Sequence, residues 1–318
     1  MRAESYGEQN RTTCFLIAQL GIKMLAMRTS GNRLVASIFA AAMGVAVLSA
    51  VASGQQSAPP AGGMAHGGMP MMNDDWPKVK LDKSPRHREW VSIRYGNRTV
   101  QAFVVYPEVK DKAPVVLVIH EIFGLSNWAR SMADDLAAVG YIAIAPDLLS
   151  GFGPKGGGSS DFPYQDATVK AVSGLDKDVV TADLDATADY AKKLPASNGK
   201  LAAVGFCWGG GKAFSFATHR KDLSAAFVFY GPPPDAGAMA NIAAPVYGFY
   251  GGNDSRIGAT VPGTVEAMKA AGKKYEPVTY DSAGHGFMRA GEAPDAKPDD
   301  AKARQEGFAR LEKLLKAM

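Results

Sequence analysis

Three residues far apart in this 318-residue chain have the types and settings that nucleophilic chemistry needs. Cys207 stands in Gly205-Phe206-Cys207-Trp208-Gly209-Gly210-Gly211, directly after the apolar run 201–204. A G-x-C-x-G string between a strand and a helix makes a sharp turn, and glycines flank it because side chains there have no room. The helix that follows would aim its first N–H groups and positive dipole end at the sulfur, favouring a thiolate and a developing oxyanion. The string alone says little, since free cysteines are commonly buried as small hydrophobes. Its weight comes from Asp254, in Gly251-Gly252-Asn253-Asp254 after the run 246–250, and from His285, in Gly284-His285-Gly286-Phe287 after the run 275–280. A thiol, a carboxylate and an imidazole, each just past a strand, supply a nucleophile, a base and an acid to orient the base.

The elements that would bring them together can be read from the spacing. Residues 91–95 and 99–106 alternate in polarity around Gly96-Asn97, a hairpin pattern. Runs 114–119, 141–145, 201–205, 225–230 and 246–250 are continuously apolar, as in strands buried on both faces. Helical periodicity covers 129–139, ending at Gly140, and then 178–194, 209–219, 261–271 and 301–316, while Gly151 opens a long Gly-rich loop that ends near Ser160. Strands alternating with helices predict an α/β fold with a mostly parallel central sheet, helices on both faces and the hairpin as its antiparallel edge. In such a sheet, loops at the strands' carboxyl ends gather ligands. The order nucleophile, acid, histidine is that of the α/β-hydrolase triad.

A second oxyanion donor is expected from the loop after the first buried parallel strand, His120-Glu121-Ile122-Phe123-Gly124. The backbone N–H of Ile122 and that of Trp208 can face one oxygen there. The loop is not a zincin site, because Gly124 stands where H-E-x-x-H requires histidine.

Together, Glu121-Ile122-Phe123-Gly124, the Gly205–Gly210 elbow, Gly251-Gly252-Asn253-Asp254 and Gly284-His285-Gly286-Phe287 resemble the dienelactone hydrolases over roughly residue 90 to the C-terminus. The resemblance implies Cys207 as nucleophile, His285 as base and Asp254 as its orienting acid. It implies that Glu121 bonds the resting thiol and releases it when substrate enters. It also implies Arg289, four residues after the histidine, as a substrate-carboxylate ligand, with Phe123 beside the substrate. The family's second carboxylate-binding arginine has no counterpart in Phe162-Pro163-Tyr164-Gln165-Asp166. The expected function is hydrolysis of small esters or lactones through a thioester acyl-enzyme, with no metal or organic cofactor. A broader carboxylesterase or thioesterase, or a non-catalytic binding module on the same fold, are the alternatives.

The N-terminal part has another character. Residues 34–52 are an uncharged apolar run, preceded by Arg28 and Arg33 and closed by Ala50-Val51-Ala52. That is the layout of a cleavable secretory leader over 1–52, with Met24 or Met27 as a candidate true start; an uncleaved membrane tether is the alternative. Residues 53–85 read as a flexible Gly/Pro/Met-rich linker, in which Met64, His66, Met69, Met71 and Met72 form a disordered tract more readily than a soft-metal site. The folded domain is expected over 86–318, in a periplasmic or secreted enzyme with no span left after cleavage. The formal charge of +4 is too weak a field to imply nucleic acid, and the leader carries most of it: five Lys+Arg against two Asp+Glu. Of two cysteines, Cys14 lies in the leader, so a cleaved chain would hold one thiol, unable to form an internal disulfide. A monomer acting on a small molecule is expected.

Overall fold

The computed structural model describes residues 75–318, which lie within one compact unit. The leader, the Met/His tract and most of the expected linker fall outside the described residues.

Eight strands form a single sheet: β1 (Arg88–Tyr95), β2 (Arg98–Val105), β3 (Ala113–Ile119), β4 (Ile142–Asp147), β5 (Ser197–Phe206), β6 (Ala225–Phe229), β7 (Val246–Gly251) and β8 (Tyr275–Tyr280). Their order is β1-β2-β4-β3-β5-β6-β7-β8. The hairpin β1–β2 and the β2–β4 pair are antiparallel, and every pairing from β4 through β8 is parallel. This is the predicted mostly parallel sheet with the hairpin at its edge.

Helices cover both faces because the central strands are apolar on both sides. On β3, Val116 and Val118 face a core built with Trp128, Met132 and Leu136 of α2 (Asn127–Ala138) and Leu311 and Leu315 of α10 (Pro298–Lys316). Val115, Leu117 and Ile119 face the opposite core, built with Val180 and Leu184 of α4 (Lys177–Lys192), Phe214 of α5 (Trp208–His219) and Met268 of α8 (Val261–Ala270). Helix ends follow the local chemistry: the Ser126 hydroxyl accepts from the Ala129 N–H to start α2, and Gly140, at φ +103°, lets the chain leave it. The remaining helices are α3 (Gln165–Ser173), α6 (Ala236–Met239), α7 (Ser255–Gly258) and α9 (Phe287–Ala290).

Two expectations need correction. The linker does not run to residue 85, because α1 (Asp75–Asp82) is part of the folded unit. Its Leu81 sits in the core with α2, and the Lys80 ammonium lies 2.6 Å from Asp135 and also meets Glu292. The Gly-rich segment is also more ordered than a plain loop, with short 3-10 turns at Pro154–Gly156 and Ser159–Asp161. The buried carboxylate of Asp147 anchors it, accepting from the Ser159 N–H at 2.8 Å and its hydroxyl at 2.6 Å. Among the described residues, no helix is long and apolar enough to cross a membrane.

Candidate active site

Cys207 sits at the turn between β5 and α5 with φ +56° and ψ −118°, a conformation L-residues rarely adopt. The turn closes tightly enough that a Cβ on Gly205 would lie 2.0 Å from the Gly209 carbonyl oxygen. Glycine at 205 is therefore a steric requirement of the bend, as the spacing implied. The Cys207 N–H donates to the Phe229 carbonyl at 3.0 Å, tying the elbow to the end of β6.

The structure brings Cys207, His285 and Asp254 into one line. His285 Nε2 is 3.1 Å from Cys207 Sγ, and His285 Nδ1 is 2.5 Å from Asp254 Oδ2. Asp254 is nearly buried, and its other oxygen accepts from the Ile257 N–H at 3.3 Å, capping α7 and fixing the carboxylate's orientation. With Nδ1–H spent on Asp254, the imidazole presents its Nε2 lone pair to the thiol. The loop bearing His285 is anchored on α10 through the Gly284 N–H, which donates to Asp300 at 2.8 Å. It packs so closely on the acid loop that a Cβ at Gly251 would meet the Ala283 and Gly284 carbonyls at 2.6 Å.

The sulfur's surroundings pull in opposite directions. Burial pushes the thiol's pKa up, and the nearby Glu121 carboxylate adds to that by repelling a thiolate. Against this, the backbone N–H groups of Trp208 and Ile122 hydrogen-bond the sulfur and the positive charge of Arg256, on α7, favours the anion. The two N–H groups singled out in the sequence thus converge on one atom. Glu121, buried, accepts at Oε2 from Arg289 Nε at 2.9 Å, and the Arg289 guanidinium lies 5.0 Å from the centre of the half-buried Phe123 ring. All eight residues singled out, Cys207, Asp254, His285, Glu121, Ile122, Trp208, Arg289 and Phe123, therefore surround one place at the carboxyl edge of the sheet. Among the described residues no group of three or more His, Cys, Asp or Glu is arranged to hold a metal ion.

The family model "Dienelactone hydrolase family" matches residues 100–318. The chain belongs to the dienelactone hydrolase family. It is 32% identical over 235 residues to a relative from Methylorubrum extorquens named "Putative carboxymethylenebutenolidase", covering 70% of this chain and 78% of that one. It is 29% identical over 204 residues to a "Carboxymethylenebutenolidase" from Pseudomonas putida, covering 63% and 86%. The crystal structure of a "Putative Dienelactone Hydrolase" from Klebsiella pneumoniae superposes with a TM-score of 0.65 at 29% identity, over 73% of this chain and 99% of that one. With this family membership the chain is an α/β-hydrolase-fold hydrolase of ester or lactone bonds.

Two residues near the site, Tyr230 and Arg256, escaped the sequence reading, and so did the contact made by a third, His120. Tyr230 follows β6 with φ +41°, fully buried, its ring 5.1 Å from that of His285 at 63° and its hydroxyl without a hydrogen-bond partner among the described residues. Arg256 stands two residues after Asp254, a nearness the sequence does display. His120 immediately precedes Glu121 and is fully buried. Its position at the end of the β3 run was the available clue.

Proposed function

We propose that this protein hydrolyses small esters or lactones by acyl transfer through Cys207, His285 and Asp254. The observation that carries the reading is the hydrogen-bonded line from Asp254 Oδ2 through the imidazole to Cys207 Sγ, with the Ile122 and Trp208 N–H groups on the same sulfur. In the first half-reaction the thiol proton passes to His285 Nε2 as the sulfur attacks the carbonyl carbon. The carbonyl oxygen becomes an oxyanion held by the Ile122 and Trp208 amides. As the tetrahedral adduct collapses the ester C–O bond breaks, the leaving alkoxide takes the proton from His285, and a thioester remains on Cys207. In the second half-reaction His285 takes a proton from water, the hydroxide adds to the thioester carbonyl, the C–S bond breaks and the thiol is restored.

Asp254 serves this cycle by holding the imidazole in the Nδ1–H tautomer and by stabilising the imidazolium that forms twice per turnover. Burial and Glu121 keep the resting sulfur protonated, which limits wasteful reaction of a free thiolate. Arg289 offsets the Glu121 charge. In this reading an incoming substrate anion competes with Glu121 for Arg289. The relatives' names make carboxymethylenebutenolide the first lactone to test, alongside neutral p-nitrophenyl esters, because the second family arginine is missing from residues 162–166.

We also propose that residues 1–52 direct export and are removed, on the strength of the basic, apolar and small-residue layout alone. The test of the activity is an ester and lactone panel on the purified chain and on Cys207→Ala. Turnover lost with the thiol supports the reading; equal turnover by both proteins would refute it.

A further inference from the structure

Glu121 and Ile122 share one peptide group, and that group is held from its carbonyl side. His120, fully buried, sets its Nδ1 2.7 Å from the Glu121 carbonyl oxygen. A carbonyl oxygen can only accept, so Nδ1 carries the proton and donates. Burial lowers this histidine's pKa, so the ring stays neutral and Nε2 is a bare lone pair, with no hydrogen-bond partner among the described residues. The Gly124 N–H donates to the same carbonyl at 3.2 Å, closing the turn behind it.

Because a trans peptide is planar, with C=O and N–H pointing opposite ways, gripping the oxygen fixes where the Ile122 N–H points. That N–H is one of the two directed at Cys207 Sγ. The same imidazole lies against the residue that provides the other, its ring centre 5.6 Å from that of Trp208 and the planes 12° apart. Its backbone is in contact as well, since a Cβ on Gly209 would come within 2.3 Å of the His120 carbonyl oxygen. A phenylalanine would fill the same space and leave no unpaired nitrogen, so what the imidazole adds is the Nδ1–H bond.

We propose that His120 is a positioning residue for the oxyanion site, aiming the Ile122 N–H by holding the carbonyl of the same peptide while bracing Trp208. This rests on acyl transfer at Cys207 as read above, and it would act through the peptide without touching substrate.

Two substitutions separate the bond from the packing. His120→Phe keeps a ring on Trp208 and removes the donor; His120→Asn places an amide N–H near the Nδ1 position and removes the ring. The expected result is a kcat loss of about a hundred-fold for His120→Phe with KM little changed, the size of effect of losing one oxyanion donor. His120→Asn should recover most of kcat. Wild-type kcat in His120→Phe, or equal losses in both variants, would overturn the proposal. If neither variant folds, the tautomer of His120 in the wild-type chain decides, read from its ring 15N shifts. A protonated Nδ1 with bare Nε2 supports the proposal and a protonated Nε2 overturns it. Ester turnover that persists in Cys207→Ala would refute the acyl-transfer reading itself, an outcome distinct from any of these.

Discussion

Arg289 Nε donates to Glu121 Oε2 at 2.9 Å, joining residues 168 positions apart across the candidate site. One end of this pair belongs to the loop after β3 that carries Ile122, the other to α9, three residues past Gly286 of the loop that carries His285. Its Glu121 carboxylate acts on the pKa of the Cys207 thiol, as the charge of Arg256 does with the opposite sign.

Glu121 raises the thiol's pKa in addition to the larger effect of burial. Removing its charge therefore has a definite sign: Glu121→Gln should move the pH midpoint of Cys207 alkylation by iodoacetamide downward. A midpoint that stays or rises would show that Glu121 does not govern the thiol.

Arg256 acts the other way, its charge stabilising the thiolate. Arg256→Ala should shift the same midpoint upward and slow alkylation at neutral pH. High salt should shrink the difference, because this arginine is exposed. No difference at low salt would place its charge too far from the sulfur to matter.

Tyr230 separates fold from function. Its buried hydroxyl has no partner among the described residues, so Tyr230→Phe should leave the melting temperature unchanged or raise stability by about 1 kcal/mol. Tyr230→Leu removes the ring packed edge-on against His285 and should cost kcat about ten- to a hundred-fold by loosening the imidazole. Wild-type kcat in the leucine variant would mean that Asp254 and Cys207 hold His285 unaided.

Helix α1 should count as part of the folded domain. Leu81, 5% exposed, packs in the α2 side of the core, so Leu81→Ala should cost about 2–4 kcal/mol in a denaturant titration. A loss below about 0.5 kcal/mol, the range of surface substitutions, would return residues 75–82 to the linker.

Much of this architecture is legible in the chain because its signals are local. Short continuous apolar runs bounded by turn residues suit strands buried on both faces, and Gly205, Gly209 and Gly251 stand where backbones touch. Cys207, Asp254 and His285 can be placed together because each follows a strand and parallel strands end at one edge. What the sequence conceals is contact between distant segments. Helix α1 looks like linker because Pro and Gly dominate what precedes it and only Trp76, Val79 and Leu81 are apolar, and its burial depends on Asp135 and Glu292 far along the chain. The Glu121–Arg289 pair is invisible for the same reason. The place of His120 in the loop after β3 is plain, but its bond to the neighbouring carbonyl is not, since neither spacing nor polarity reports the direction of a ring nitrogen.

The central claim is a covalent thioester on Cys207, and its most direct measurement is intact mass and peptide mapping of enzyme quenched during turnover of a p-nitrophenyl ester. The account predicts one acyl increment on the peptide containing Cys207, absent from Cys207→Ala and removed on further incubation. An increment on another residue, or steady turnover by Cys207→Ala at the wild-type rate, would contradict it.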